Sequence, residues 1–223
     1  MSIENEIYSM IRDNPKQEFE IRLCYVLSHG TKYNISKNKF QSIINAIHHS
    51  DTFKMNFNKQ MGCYYSDDMV YHYNINGNVE SVMKKTVTEY SDWATNDQLP
   101  TNLQINFKSS LGIRLILSNV SRMEHCNFPM TSQLHHTENK SVARYLSCVD
   151  KINEGYYVDF TRTRDMLDNT ESLGINIGIS KNKNTYRLKK EHHIHLSNIL
   201  YQILEAVDDD IVSLQKIRTQ TLI

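Results

Sequence analysis

The chain has few of the residues that interrupt regular structure: three prolines and seven glycines in 223 residues. No stretch is long enough to serve as a flexible linker and no internal repeat occurs, so the length implies one large domain, or one domain with an appendage. There is no excess of charge of either sign, because 25 Lys+Arg meet 25 Asp+Glu. Bulk electrostatics therefore does not mark a nucleic-acid binder, and any polyanion site has to be local. No apolar run approaches the ~20 residues that a membrane span requires. The amino-terminal MSIENEIYSM is acidic and polar, unlike a secretory signal. Cys24, Cys63, Cys126 and Cys148 are widely spaced, with no CxxC pair. That pattern argues against structural zinc and for reduced, mostly buried thiols in an intracellular protein.

What the chain does have is concentrated in Glu18-Phe19-Glu20-Ile21-Arg22-Leu23. Successive side chains of a strand point to opposite faces. Glu18, Glu20 and Arg22 therefore share one face, and Phe19, Ile21, Leu23 and Tyr25 the other. The apolar face suits a core. The charged face sets two carboxylates side by side, and such a pair repels itself unless a metal or a basic side chain sits between them.

Around this segment the pattern is a helix, many strands, then a helix. Ser2 is a candidate N-cap, with Glu4 and Glu6 in the first turn and Ile3, Ile7, Met10 and Ile11 as the apolar stripe; Asn14-Pro15 ends the element. Ser36 can cap a second helix, where Phe40, Ile43, Ile44 and Ile47 follow the i, i+3, i+4, i+7 rule. Asn76-Gly77 signals a hairpin between Met69–Ile75 and Asn78–Val87. Further strand candidates are Leu103–Phe107, Gly112–Val120, Val142–Val149, Tyr156–Arg164, Gly174–Ser180 and Thr185–Leu196, the last two separated by the loop Lys181-Asn182-Lys183-Asn184. With the Glu18 strand this makes about nine, enough for a closed antiparallel barrel. A carboxy-terminal helix carries Ile199, Leu200, Ile203, Leu204 and Val207, and a second amphipathic piece spans Ile211–Ile217.

Several of these strands carry charge in alternation. Arg187, Lys189, Glu191, His193 and His195 fall on one face of the last candidate strand, and Arg114 stands opposite Ile113, Leu115 and Leu117. Asp159, Thr161 and Thr163 share a face, with Arg162 and Arg164 on the other; Lys84 and Lys85 must point opposite ways. In one strand, alternation is the ordinary mark of a half-solvated sheet. Carboxylates on the first and last strands, with basic residues between, suggest a barrel whose interior is polar.

Three segments carry a resemblance to the triphosphate tunnel family, within it to the RNA 5′-triphosphatase domains at the front of capping enzymes of large DNA viruses. Glu18-Phe19-Glu20-Ile21-Arg22 resembles the family's ExExR core. Tyr157-Val158-Asp159-Phe160-Thr161 is similar to its hydrophobic-Asp-hydrophobic-Thr strand. Glu191-His192-His193-Ile194-His195 stands where the family closes its barrel with ExExE. The likeness runs over roughly residues 4–207, and Asn198–Val207 resembles the link into a guanylyltransferase domain. Departures from the pattern are histidines at two of the three closing positions, a basic strand that keeps Arg144 with Lys140 just outside it, and Asn119 or Val120 where relatives often place an acid.

The resemblance implies an α+β fold, a closed antiparallel barrel of about eight or nine strands with flanking helices, over residues 1–197. Residues 198–223 would be a helical extension linking to a guanylyltransferase domain in cis or in trans. It implies a metal-dependent hydrolase that removes the γ-phosphate of 5′-triphosphate RNA, the first step of mRNA capping. Glu18, Glu20, Glu191 and Arg114 would be catalytic. Glu18, Glu20, Glu191, His193 and His195 would hold Mn²⁺ or Mg²⁺, the histidines favouring Mn²⁺. Arg22, Lys84 or Lys85, Arg114, Arg144 and Lys189 would neutralise phosphate, and Asp159 would anchor a basic side chain. The implied setting is an infected cell's cytoplasm, its viral factory or the virion. The alternative is a catalytically degenerate tunnel module that scaffolds a capping enzyme or binds phosphate.

Overall fold

The computed structural model describes residues 2–27, 30–32, 35–66, 69–74, 79–94, 112–123, 140–151, 155–165, 168–179, 189, 191–207 and 215–221. The expected Leu103–Phe107 strand, the Asn76-Gly77 turn, the 181–184 loop and Cys126 lie outside these residues.

Helix α1 (Ile3–Asp13) starts as its sequence dictates: Ser2 Oγ accepts from the Asn5 amide, and Ile3, Ile7, Met10 and Ile11 are buried. Strand β1 (Glu18–Leu27) follows, paired with the short β2 (Gly30–Lys32). Helix α2 (Lys37–His49) is capped by Ser36, whose Oγ accepts from the Lys39 amide, and buries Phe40, Ile43 and Ile47. Then come β3 (Phe53–Ser66), β4 (Met69–Tyr73), β5 (Val79–Ala94), β6 (Gly112–Met123), β7 (Lys140–Asp150), β8 (Tyr156–Asp165) and β9 (Glu171–Ile179). Helix α3 (His192–Glu205) and β10 (Gln215–Thr221) complete the described elements.

Eight strands close on themselves in the order β1-β6-β5-β4-β3-β7-β8-β9, β9 pairing with β1 again. Every pairing is antiparallel. The barrel expected from the sequence is therefore the barrel observed. Strand β2 extends the end of β1, and β10 lies along Glu89–Ala94 of β5. The Ile211–Ile217 piece, expected as a further amphipathic element, thus enters the sheet from Gln215 onward.

Alternation sorts each strand into two faces. Phe19, Ile21 and Leu23 of β1, Ile113, Leu115 and Leu117 of β6, Val158 and Phe160 of β8, and Ile175 and Ile177 of β9 turn outward. They form one core with the stripes of α1, α2 and α3. The helices therefore seal one side of the barrel from outside, and the core lies between helices and wall. The opposite faces of the same strands point into the barrel. No described helix is long and apolar enough to cross a membrane.

Of the last strand expected from the sequence, Thr185–Leu196, the described part from His192 onward is helix instead. The alternating Arg187-to-His195 pattern is short, whereas Leu196, Ile199, Leu200, Ile203 and Leu204 form a buried helical stripe that takes His192–Glu205 into α3. Burying five aliphatic side chains on one helix face outweighs a brief coincidence of charge spacing.

Candidate functional site

The barrel interior is assembled from what the outward-facing core leaves over. Registered pairing places Arg22 opposite Arg114 of β6 and Asn176 of β9, and continues Asn176 to Asp159 of β8 and Asp159 to Ser147 of β7. Arg114 in turn faces Asp92 of β5. Asp92, Arg114, Arg22, Asn176, Asp159 and Ser147 thus form one polar belt. A second belt runs from Tyr90 of β5 through Ile116 and Glu20 to Gly178 and Tyr157. Glu18 lies beyond Glu20 on β1, beside Ser118.

The carboxylate pair holds a basic side chain between its members. Lys85 Nζ, reaching in from β5, is 2.7 Å from Glu20 Oε2 and 3.2 Å from Glu18 Oε1. Arg22 Nη2 approaches the same Glu20 oxygen at 3.4 Å, while its Nε donates to Asn176 Oδ1 at 2.9 Å. Burial alone would push the Glu20 carboxyl up. The adjacent positive charges of Lys85 and Arg22 outweigh it and bring the group down to about 2. Of the two candidate lysines, Lys85 is the interior one; Lys84 is on the exposed outer face.

Arg114 is committed elsewhere. Its Nε and Nη2 donate to Asp92 Oδ1 and Oδ2 at 2.6 and 2.9 Å, and its guanidinium lies 4.1 Å from the Tyr90 ring centroid. Asp92 is 1 % exposed, so this fork-to-fork pair is a structural tie across the wall. Sequence reasoning missed Asp92 because it ended that strand at Val87. The signal that could have found it is the alternation Tyr90-x-Asp92 continuing toward Trp93, which is buried in the outer core.

Asp159 differs from its expected role as an anchor for a basic side chain. Its Oδ1 is buried with no hydrogen-bond partner among the described residues. Burial pushes its carboxyl up to about 6; a hydrogen bond from Ser147 opposes this, and the Glu20 charge adds to it. The Cys24 thiol, at the end of the interior face of β1, is pushed up to about 12 by burial and the nearby Asp92 charge, which excludes a thiolate nucleophile there.

Four of the remaining candidates are not on the barrel strands. Glu191 is the exposed residue at the N-cap position of α3. His193 packs its ring 5.0 Å from Tyr8 of α1, and His195 lies 4.8 Å from Tyr156, all on the helical side. Lys189 is exposed, its amide donating to His192 Nδ1. His193 and His195 lie on α3, Glu191 is at its N-cap and Lys189 precedes it, so none of the four is on a described barrel strand. Arg144 falls in register with Arg162 of β8, on the face alternate to Ala143 and Ser147. The Arg144 side chain itself lies outside the described ones, so its expected phosphate role is left as an expectation.

The strand that does close the barrel against β1 is β9, and its interior positions are Gly174, Asn176 and Gly178. The Tyr157 ring lies over Gly178, where a Cβ would come within 2.4 Å of the phenol oxygen. A divalent metal of the kind the resemblance implies needs several oxygen ligands. The positions paired directly with Glu20, Ile116 and Gly178, offer no side-chain oxygen, Lys85 occupies the space between the two glutamates, and no trio of acidic, His or Cys side chains converges among the described residues. The described residues do not fit that metal.

No family model matches the sequence, and no curated protein matches it. Among solved structures, the chain is similar to the mimivirus capping enzyme triphosphatase. The triclinic form shows 12% identity and a TM-score of 0.44, covering 90% of this chain and 96% of that one. The monoclinic form shows 14% identity and a TM-score of 0.45, with the same coverage. The RNA triphosphatase domain of the trifunctional mimivirus mRNA capping enzyme shows 12% identity and a TM-score of 0.45, covering 90% of this chain and 95% of that domain.

Proposed function

We propose that the barrel receives the 5′-triphosphate end of RNA and that the chain is an RNA 5′-triphosphatase module of an mRNA-capping system. The observation that supports this reading best is the placement of Lys85 and Arg22, two cations from different strands meeting over one carboxylate inside a closed wall. An entering phosphate exchanges with Glu18 and Glu20 for those donors, and the low-dielectric wall strengthens each contact. Hydrolysis in this site is in-line attack of water on the γ-phosphorus. The P–O bond to the β-phosphate breaks, giving 5′-diphosphate RNA and inorganic phosphate. Positioning and charge stabilisation dominate such a reaction. Asp159, with its orphan oxygen and raised proton affinity, is the group on this wall suited to accept the water's proton near neutral pH. A guanylyltransferase acting on the diphosphate product, in cis or in trans, is the partner this chemistry requires.

A second reading, a catalytically degenerate module that binds the triphosphate end without cleaving it, is favoured by one observation: the neutral Gly174-x-Asn176-x-Gly178 face of β9 beside β1. Phosphate release from 5′-triphosphate RNA, with wild type beside Arg22→Ala, decides between them. Release that depends on Arg22 supports the triphosphatase. Tight binding with no release supports the degenerate module, and neither binding nor release contradicts both.

A further inference from the structure

The Glu18–Glu20 pair poses a charge problem that a strand of this sequence cannot solve alone. Two carboxylates on one face of β1, each at most 15 % exposed, repel one another unless a cation stands between them. Lys85 supplies that cation from β5, one strand beyond β6, within hydrogen-bond distance of both. A lysine ammonium is a compact point charge with three donors, suited to bridging two separate carboxylates. The other side of the pair is closed to a metal by chemistry. Gly178, paired with Glu20, has no side-chain ligand atom and is covered by Tyr157. The Asn176 amide oxygen is taken by the Arg22 guanidinium. Adding a divalent ion while Lys85 stays would place two cations on the same oxygens.

We infer that the Lys85 ammonium, with the Arg22 guanidinium beside it, is the resident counter-charge of the Glu18–Glu20 pair, so that among the described residues this pair is balanced without a divalent metal. Its consequence for RNA rests on the triphosphate reading above; the cation assignment itself does not. Removing the lysine should then create a metal site that wild type lacks, because the two carboxylates would need a new counter-ion. Freed of Lys85, the two carboxylates would offer a hard divalent ion its anchoring oxygens, with retained waters completing the coordination.

The test is Mn²⁺ titration of the full chain, without RNA, followed by electron paramagnetic resonance and by thermal shift. Wild type and Lys85→Arg should show no stoichiometric site. Lys85→Met should acquire one and gain thermal stability on adding Mn²⁺. Lys85→Met combined with Glu20→Gln should lose at least about tenfold of that affinity, the usual cost of a missing ligand-shell group. Stoichiometric Mn²⁺ binding by wild type that Glu20→Gln abolishes would overturn the inference, as would a folded Lys85→Met protein that binds no Mn²⁺. Wild type alone suffices for the first outcome should the methionine variant not fold. Since no RNA is present, these outcomes are separate from failure of the triphosphate reading. A companion measurement extends the consequence: 5′-triphosphate RNA binding by wild type should persist in excess chelator.

Discussion

Arg114 and Asp92 grip each other through two parallel hydrogen bonds across β5 and β6, at 2.6 and 2.9 Å, with Asp92 almost wholly buried. Arg114 is thereby a tie in the barrel wall, although its sequence position suggested a phosphate ligand. Breaking a buried pair leaves an uncompensated charge, which costs about 3 kcal/mol or more. Asp92→Ala should lower unfolding free energy by that amount in urea titration. Lys84→Ala, on the exposed outer face, should stay within about 0.5 kcal/mol of wild type.

Asp159 makes stability depend on pH in a direction opposite to the usual carboxylate. Its folded value of about 6 lies above the ordinary 3.8, because burial disfavours the ionised form. The folded state holds this proton more tightly than the unfolded chain, so the stability it contributes is full below about pH 4 and is lost as pH rises through 6. Asp159→Asn, which stays neutral, should therefore raise the melting temperature more at pH 8 than at pH 4. An equal shift at both would contradict the burial argument.

The close approach of β8 and β9 at the Tyr157 ring sets another test. A methyl group on Gly178 meets the phenol at 2.4 to 2.5 Å, so Gly178→Ala should cost about 1–3 kcal/mol. Tyr157→Ala in the same chain should relieve it, giving a double variant less destabilised than the sum of the singles. Strict additivity in a double-mutant cycle would mean that the ring does not sit over Gly178.

The histidine-rich segment makes a negative control. Glu191→Ala, His193→Ala and His195→Ala lie outside the wall, on or at the start of α3. Each should leave 5′-triphosphate RNA binding within about twofold of wild type, a difference of under 0.5 kcal/mol. A tenfold loss in a folded variant would return this segment to the site.

Much of this architecture was legible in the sequence because two-residue alternation and helical stripes are local signals. The Glu18 strand, the two capped helices and the apolar faces of β6, β8 and β9 all follow from them. The face of Glu18 and Glu20 calls for a metal or a basic side chain between them, but alternation places Lys85 only as a phosphate candidate and does not single it out as that base. What failed was closure. Glu191, His193 and His195 alternate like a strand, yet the aliphatic stripe from Leu196 to Leu204 draws the helix back over both histidines, with Glu191 at its N-cap. The strand that really meets β1 reads Gly174-Ile-Asn176-Ile-Gly178, whose interior positions carry no charge and gave no reason to be singled out. Long-range pairing decides which strands share an interior, and alternation within a strand cannot reveal it.

The central claim is that this interior recognises a terminal triphosphate through Lys85 and Arg22. The most direct measurement is the affinity of wild type, Lys85→Ala and Arg22→Ala for one short RNA bearing a 5′-triphosphate, a 5′-monophosphate or a 5′-hydroxyl. The account predicts that wild type prefers the triphosphate by at least about tenfold, about 1.4 kcal/mol, and that either substitution erases the preference. Equal affinity for the three ends in wild type, or an undiminished triphosphate preference in both folded variants, would contradict it.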